Sequence, residues 1–107
     1  MKRITRDELK AMNEGGQEDF ILVNVLSRDD FNQRHIRTSV NIPVGREDFA
    51  EQVEAVAGGK QRETVVYCGS FDCDASEKAA KKLEAAGFEH VFDYEGGTQD
   101  WFAQKRA

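Results

Sequence analysis

Positive charge is in short supply in this chain. Fifteen Lys and Arg stand against twenty Asp and Glu, a formal net charge of −5, which argues against a nucleic acid partner because phosphate binding relies on clustered cations. The same balance argues against an anionic membrane surface. Long apolar runs are missing too. None approaches the roughly 18 residues of a spanning helix, and the opening Met1-Lys2-Arg3-Ile4-Thr5 leads into charge rather than an apolar signal core. The expected location is therefore the cytoplasm. Cysteine is scarce: Cys68 and Cys73 are too few for a disulfide framework or a four-cysteine zinc site. The two histidines, His35 and His90, fall at no finger-type spacing, so no metal is expected.

What is present suits one soluble globular domain. The chain has 107 residues, 39% hydrophobic and 33% charged, enough to build a core without staples and too short for two domains. Residues 20–26 (Phe20-Ile21-Leu22-Val23-Asn24-Val25-Leu26) are almost continuously apolar. Residues 64–68 (Thr64-Val65-Val66-Tyr67-Cys68) and 90–94 (His90-Val91-Phe92-Asp93-Tyr94) are short, β-branched and aromatic, and Ser39-Val40-Asn41-Ile42-Pro43 is a weaker fourth run. Such runs predict strands buried on both faces, as in a parallel sheet. Helical patterns lie between them. Thr5-Arg6-Asp7-Glu8 is a capping box ahead of Leu9 and Met12, with Gly15-Gly16 as the stop, and Ser27 caps a short helix through Phe31. Phe49, Val53 and Val56 share a helical face that ends at Gly58-Gly59. Asp74-Ala75-Ser76-Glu77 reads as a second capping box, leading into Ala79, Ala80, Leu83 and Ala86 before Gly87. A last helix starts at Thr98 and carries Trp101 and Phe102. The fold class predicted is α/β, a mostly parallel central sheet of about five strands with helices on both faces.

The chemistry concentrates in Cys68-Gly69-Ser70-Phe71-Asp72-Cys73-Asp74-Ala75-Ser76. Cys68 closes a buried strand, and open α/β sheets bind ligands at the carboxyl ends of their strands. A loop returning to a helix N-terminus points backbone N–H groups inward as an anion-accepting nest, and a thiol in such a nest shifts toward thiolate. From spacing alone a lone cysteine ending an apolar strand is more often a small buried hydrophobe than a nucleophile, and Cys73 reads as an unrelated surface thiol.

A resemblance changes that balance. Leu22-Val23-Asn24-Val25-Leu26 resembles the early strand of the rhodanese (thiosulfate or persulfide sulfurtransferase) family, which usually ends Asp-Val-Arg. Asp30-Phe31 with Arg34-His35-Ile36 resembles its acidic-Phe and Gly-His-Ile segment, and Val40-Asn41-Ile42-Pro43 its Ala-x-Asn-Ile-Pro strand. Val65-Val66-Tyr67-Cys68 is similar to the strand that delivers the catalytic cysteine, and Gly96-Gly97 followed by Trp101 to the closing Gly-Gly-x-x-x-Trp. Five pieces in the right order imply a single rhodanese-like domain over residues 1–107, with Cys68 as the sulfur-carrying nucleophile. The resemblance leaves scaffold roles to His35, to the Gly-Gly turn and to Trp101.

Three departures bear on function. Leu26 stands where an Arg would pair with the acid that follows, here Asp30. Arg34 and Thr38-Ser39 replace small residues, so that turn must run differently. The interval from Cys68 to Ser76 is longer than usual by about two residues, and holds Asp72 and Asp74 but no Lys or Arg. An acidic loop repels thiosulfate and raises a thiol pKa; a cation reaching it from elsewhere, Arg37 or Arg46 for example, would relieve that. A Cys-x5-Arg phosphatase is excluded, because Asp74 occupies the arginine position.

The function expected is a sulfurtransferase or sulfur carrier that moves sulfane sulfur through a Cys68 persulfide. Its donor is a small-molecule or protein persulfide and its acceptor a thiol. Gly69, Ser70, Phe71, Asp72 and Cys73 form the substrate-binding loop, whose amides supply the electrostatic stabilisation, with no cofactor. Two other readings stay open: a thiol–disulfide switch with Cys73 as the resolving thiol, and a non-catalytic interaction module on the same fold.

Overall fold

Strands buried on both faces and separated by helices have few ways to fold, and this chain takes the parallel one. The structure, a computed structural model, describes residues 1–15 and 20–103. Strands β1 (Lys2–Ile4), β2 (Phe20–Asn24), β3 (Val40–Asn41), β4 (Glu63–Tyr67) and β5 (Val91–Tyr94) form one sheet in the order β1-β5-β4-β2-β3. Every pairing is parallel. Helices α1 (Arg6–Glu14), α2 (Arg28–Gln33), α3 (Phe49–Ala57) and α4 (Ala75–Ala85) connect the strands, and α5 (Gly97–Trp101) follows the last.

Alternation along β2 and β4 sorts their side chains onto two faces. Ile21, Val23, Val66 and Cys68 meet Phe49, Val53 and Ala57 of α3 and Ala79, Ala80 and Leu83 of α4. Phe20, Leu22, Val65 and Tyr67 meet Leu9 of α1, Ile36 and the half-buried Trp101 of α5. Covering both faces is what makes these strands read as unbroken apolar runs. The α/β class, the roughly five strands and the central position of the Thr64–Tyr67 segment are as expected. Among the described residues no helix is long and apolar enough to cross a membrane.

The differences are local. β1 is absent from the expected strands because Lys2 and Arg3 are exposed and only Ile4 is buried; an edge strand with one inward side chain carries no apolar pattern. The run 20–26 is strand only to Asn24, whose side-chain oxygen accepts the Leu26 N–H at 2.9 Å, while Asn41 Nδ2 donates to the Leu26 carbonyl at 2.9 Å. These amides turn the chain where an arginine was missing. The altered His-Ile turn is held by Tyr67, whose hydroxyl lies 3.0 Å from the Ile36 N and 2.7 Å from Ser39 Oγ. His35 stays in its loop, with Nδ1 2.8 Å from the Phe31 carbonyl.

Of the helix starts, Thr5 forms the full capping box with Glu8, and Ser27 accepts from the Asp30 N–H. Asp74 does not cap. Its backbone (φ −98°, ψ 4°) lies outside the extended region that side-chain capping requires, and its carboxylate pairs with Lys78 at 3.4 Å instead. Val56 is 46% exposed; the buried stripe of α3 runs through Phe49, Val53 and Ala57, at helical i, i+4, i+8 spacing. Gly58 and Gly87 stop α3 and α4 with positive φ. Gly15 caps α1, and the second glycine expected there, Gly16, lies outside the described residues.

Candidate functional site

Cys68 is the first residue beyond the central strand β4, so the sheet delivers its backbone to the carboxyl edge. Its main chain is gripped from the other side by α5. The Thr98 N–H donates to the Cys68 carbonyl at 3.0 Å, and the Gln99 N–H to the Gly69 carbonyl at 2.9 Å. Thr98 Oγ1 adds a bond to the Gly69 carbonyl at 3.3 Å. This approach explains the second glycine of the Gly96-Gly97 pair. Gly97 has φ +64°, and a Cβ there would fall 2.4 Å from the Cys68 carbonyl oxygen. The pair thus makes a turn with positive φ at Gly97 and admits the backbone of the thiol as well.

The loop then folds back, with the Cys73 N–H donating to the Ser70 carbonyl at 3.1 Å. That fold brings the two thiols together. Cys68 is fully buried and Cys73 half-buried. The Cys68 S–H donates to the Cys73 carbonyl oxygen at 3.4 Å. Burial first, and the neighbouring Cys73 second, push the Cys68 thiol above its ordinary pKa, against the Ser76 hydroxyl and N–H, which favour its thiolate. At Cys73 burial also opposes the charged form, as Asp74 does more weakly. There the Cys68 S–H and the N–H groups of Gly69 and Ala75 outweigh both, and the thiol lies below its ordinary value.

The Ser76 hydroxyl and N–H thus favour the thiolate of Cys68, and the N–H groups of Gly69 and Ala75 that of Cys73. Ser70 is half-buried and Asp72 exposed. Phe71, 69% exposed, stands at the mouth of a cavity of about 400 Å³ that it shares with Arg3, Arg6, Tyr94 and Asp100. Arg3 and Arg6 reach that cavity from the other end of the chain, while Lys78 pairs with Asp74 of the loop itself. Arg3 is paired with Glu95 at 2.6 Å, and Arg6 Nε donates to the Trp101 carbonyl at 3.3 Å. Arg46 instead pairs with Asp48 at 2.8 Å, and Arg37 lines a separate cavity with Asn13, Ile36, Thr38 and Trp101.

Sequence reasoning also missed Ser76 and Asp93. Ser76 is buried at the start of α4, near both Cys68 and the Asp93 carboxylate but without a hydrogen bond to the latter. Asp93 on β5 is paired in register with Val66, two residues before Cys68 and on the same sheet face. It is fully buried, and neither carboxylate oxygen has a hydrogen-bond partner. Burial raises its pKa, partly offset by the Ser76 hydroxyl. A buried acid inside a strand, amid apolar neighbours, was legible only as a break in that strand's apolar pattern.

Comparison with known proteins bears on the whole chain. A family model described as rhodanese-like domain matches residues 5–104. The Escherichia coli protein YibN, itself uncharacterised, is 32% identical over 102 residues, covering 94% of this chain and 67% of YibN. A mitochondrial Schizosaccharomyces pombe protein, provisionally assigned as a thiosulfate sulfurtransferase, is 28% identical over 95 residues, 80% of this chain and 66% of its own. The human single-domain sulfurtransferase TSTD1 shares the fold, with a TM-score of 0.80 over 99% of both chains at 19% identity.

Proposed function

We propose that this chain, which belongs to the rhodanese-like domain family, is a persulfide sulfurtransferase whose sulfur carrier is Cys68. The observation that carries the reading is the meeting of two reduced thiols at the carboxyl edge of the central strand, one buried and one half-buried, with loop amides turned toward sulfur. Thiolates attack sulfane sulfur, and backbone N–H groups hold the charge that passes between sulfur atoms. The chemistry draws on the protein's own groups. The donor is a persulfide and the acceptor a thiol, each on a small molecule or another protein.

The name of the fission-yeast relative points to thiosulfate, whereas the loop of this chain points away from it. Asp72 is exposed with no ion-pair partner among the described residues, Asp74 meets only the exposed Lys78, no Lys or Arg lies between Cys68 and Ser76, and Arg3 is occupied by Glu95. A dianion meets that loop unfavourably, and an uncharged or protein-borne persulfide does not. Intact mass measurement after incubation with a low-molecular-weight persulfide tests the reading. Gain of one sulfur atom, transferable to an added thiol, is the expected result. No gain on either cysteine from any persulfide ends it.

The juxtaposed thiols favour one alternative, a thiol–disulfide switch. Mild oxidant would then convert the protein quantitatively to a Cys68–Cys73 disulfide, with loss of two hydrogens and no persulfide detectable from any donor.

A further inference from the structure

We propose that sulfur enters this site through Cys73 and reaches Cys68 by transfer inside the protein, so that the half-buried loop cysteine is a catalytic residue and the strand-end cysteine a sheltered store. The inference rests on the sulfurtransferase reading above. Its warrant is the division of labour between the two thiols. Cys68 has no solvent exposure. It is closed in by the α5 grip on its carbonyl, by Ser76 above it and by the Cys73 carbonyl 3.4 Å from its sulfur. A donor persulfide approaching from solvent meets Cys73 first. Cys73 is half-buried, and the Cys68 thiol and the Gly69 and Ala75 N–H groups favour its thiolate. These donors stabilise a thiolate, which is the attacking form.

The first step is attack of the Cys73 thiolate on the terminal sulfur of a donor R–S–SH. A Cys73–sulfur bond forms, the donor's sulfur–sulfur bond breaks, and R–S⁻ leaves with the electron pair, taking a proton from water. The terminal sulfur keeps its hydrogen, so Cys73 becomes Cys73–S–SH. In the second step the Cys68 sulfur, already beside Cys73, attacks that same terminal sulfur. The Cys68–sulfur bond forms, the Cys73–sulfur bond breaks, and the proton of the Cys68 thiol passes to Cys73. The product is Cys68–S–SH beside Cys73–SH, with no net oxidation. Ser76 N–H and Oγ then face the stored persulfide as they faced the thiol.

Wild type, Cys73→Ser and Cys68→Ser are incubated with glutathione persulfide at neutral pH, quenched at intervals, and mapped by peptide mass spectrometry. The Cys68→Ser protein is expected to gain one sulfur on Cys73. In the Cys73→Ser protein, Cys68 is expected to load at least about tenfold more slowly than in wild type, because the remaining thiol is both buried and short of thiolate. Loading of Cys68 at the wild-type rate without Cys73, or an unmodified Cys73 in the Cys68→Ser protein, overturns the entry route and leaves the sulfurtransferase reading standing. Wild type that acquires no sulfur from any persulfide overturns that reading itself, and the entry route with it. Should a variant fail to fold, native wild type supplies the second measurement. Iodoacetamide at limiting dose is expected to alkylate Cys73 before Cys68, and the reverse order overturns the proposal.

Discussion

Asp93 is the residue whose placement runs most against its chemistry. A buried carboxylate with no partner destabilises the fold when it ionises. Its folded pKa is raised above the unfolded value, so the protein is least penalised below about pH 4 and loses stability as pH rises from there through the folded pKa. Asp93→Asn is therefore expected to stabilise the protein at pH 8 by on the order of 1 kcal/mol and to gain little at pH 4. Urea denaturation at the two values checks this, and equal differences at both would refute it. Asp72 calls for a different substitution. With no hydrogen-bond or ion-pair partner among the described residues, its charge acts only through the field around the loop. Asp72→Arg is expected to raise the rate with thiosulfate several-fold more than the rate with a neutral persulfide; equal effects in a paired kinetic assay would remove the electrostatic argument. At this scale the sequence was legible where side chains obey backbone rules. It displayed the strand end at Cys68, the loop beyond it and the loop's unusual acids. It could not show which sulfur the amides face, because the direction of each N–H depends on how a loop of eight or so residues closes.

Among the elements, two helix starts of like sequence behave differently. Thr5 and Asp74 each precede a glutamate by three positions, yet only Thr5 reaches the N–H of the residue three ahead. Pattern alone predicted both caps, and the loop entering α4 decided otherwise, since it delivers Asp74 already in a turn-like conformation. Thr5→Ala should accordingly cost about 1 kcal/mol of stability, and Asp74→Ala less than about 0.5 kcal/mol, as thermal melts of the two variants will show. The Asp74 variant should also alkylate faster at Cys73, because Asp74 disfavours that thiolate. The contact between α5 and β4 has its own test. Gly97→Ala sets a methyl group against the Cys68 carbonyl at a positive φ. It is expected to destabilise by about 2 kcal/mol or more and to slow persulfide loading, read by melting and mass spectrometry together. The sequence displayed the glycine pair as a turn and concealed the backbone lying against it, which comes from 28 or more positions earlier.

For the whole molecule, the order β1-β5-β4-β2-β3 puts the thiol-bearing strand at the centre and a three-residue strand at one edge. The unbroken apolar runs disclosed the centre of this sheet and not its border, because burial writes itself into sequence and edge pairing hardly does. Amides of β4 are expected to exchange with solvent only on global unfolding, and those of β1 far faster, a ranking that hydrogen exchange will resolve. The hydrogen bonds from Thr98 and Gln99 to Cys68 and Gly69 have a mechanical meaning. They make α5 a lever resting on the main chain of Cys68 and Gly69. Tension or torque applied to that helix would be felt at sulfur without any ligand entering the loop, and a tether on the exposed Phe102 flank would tune the site from outside.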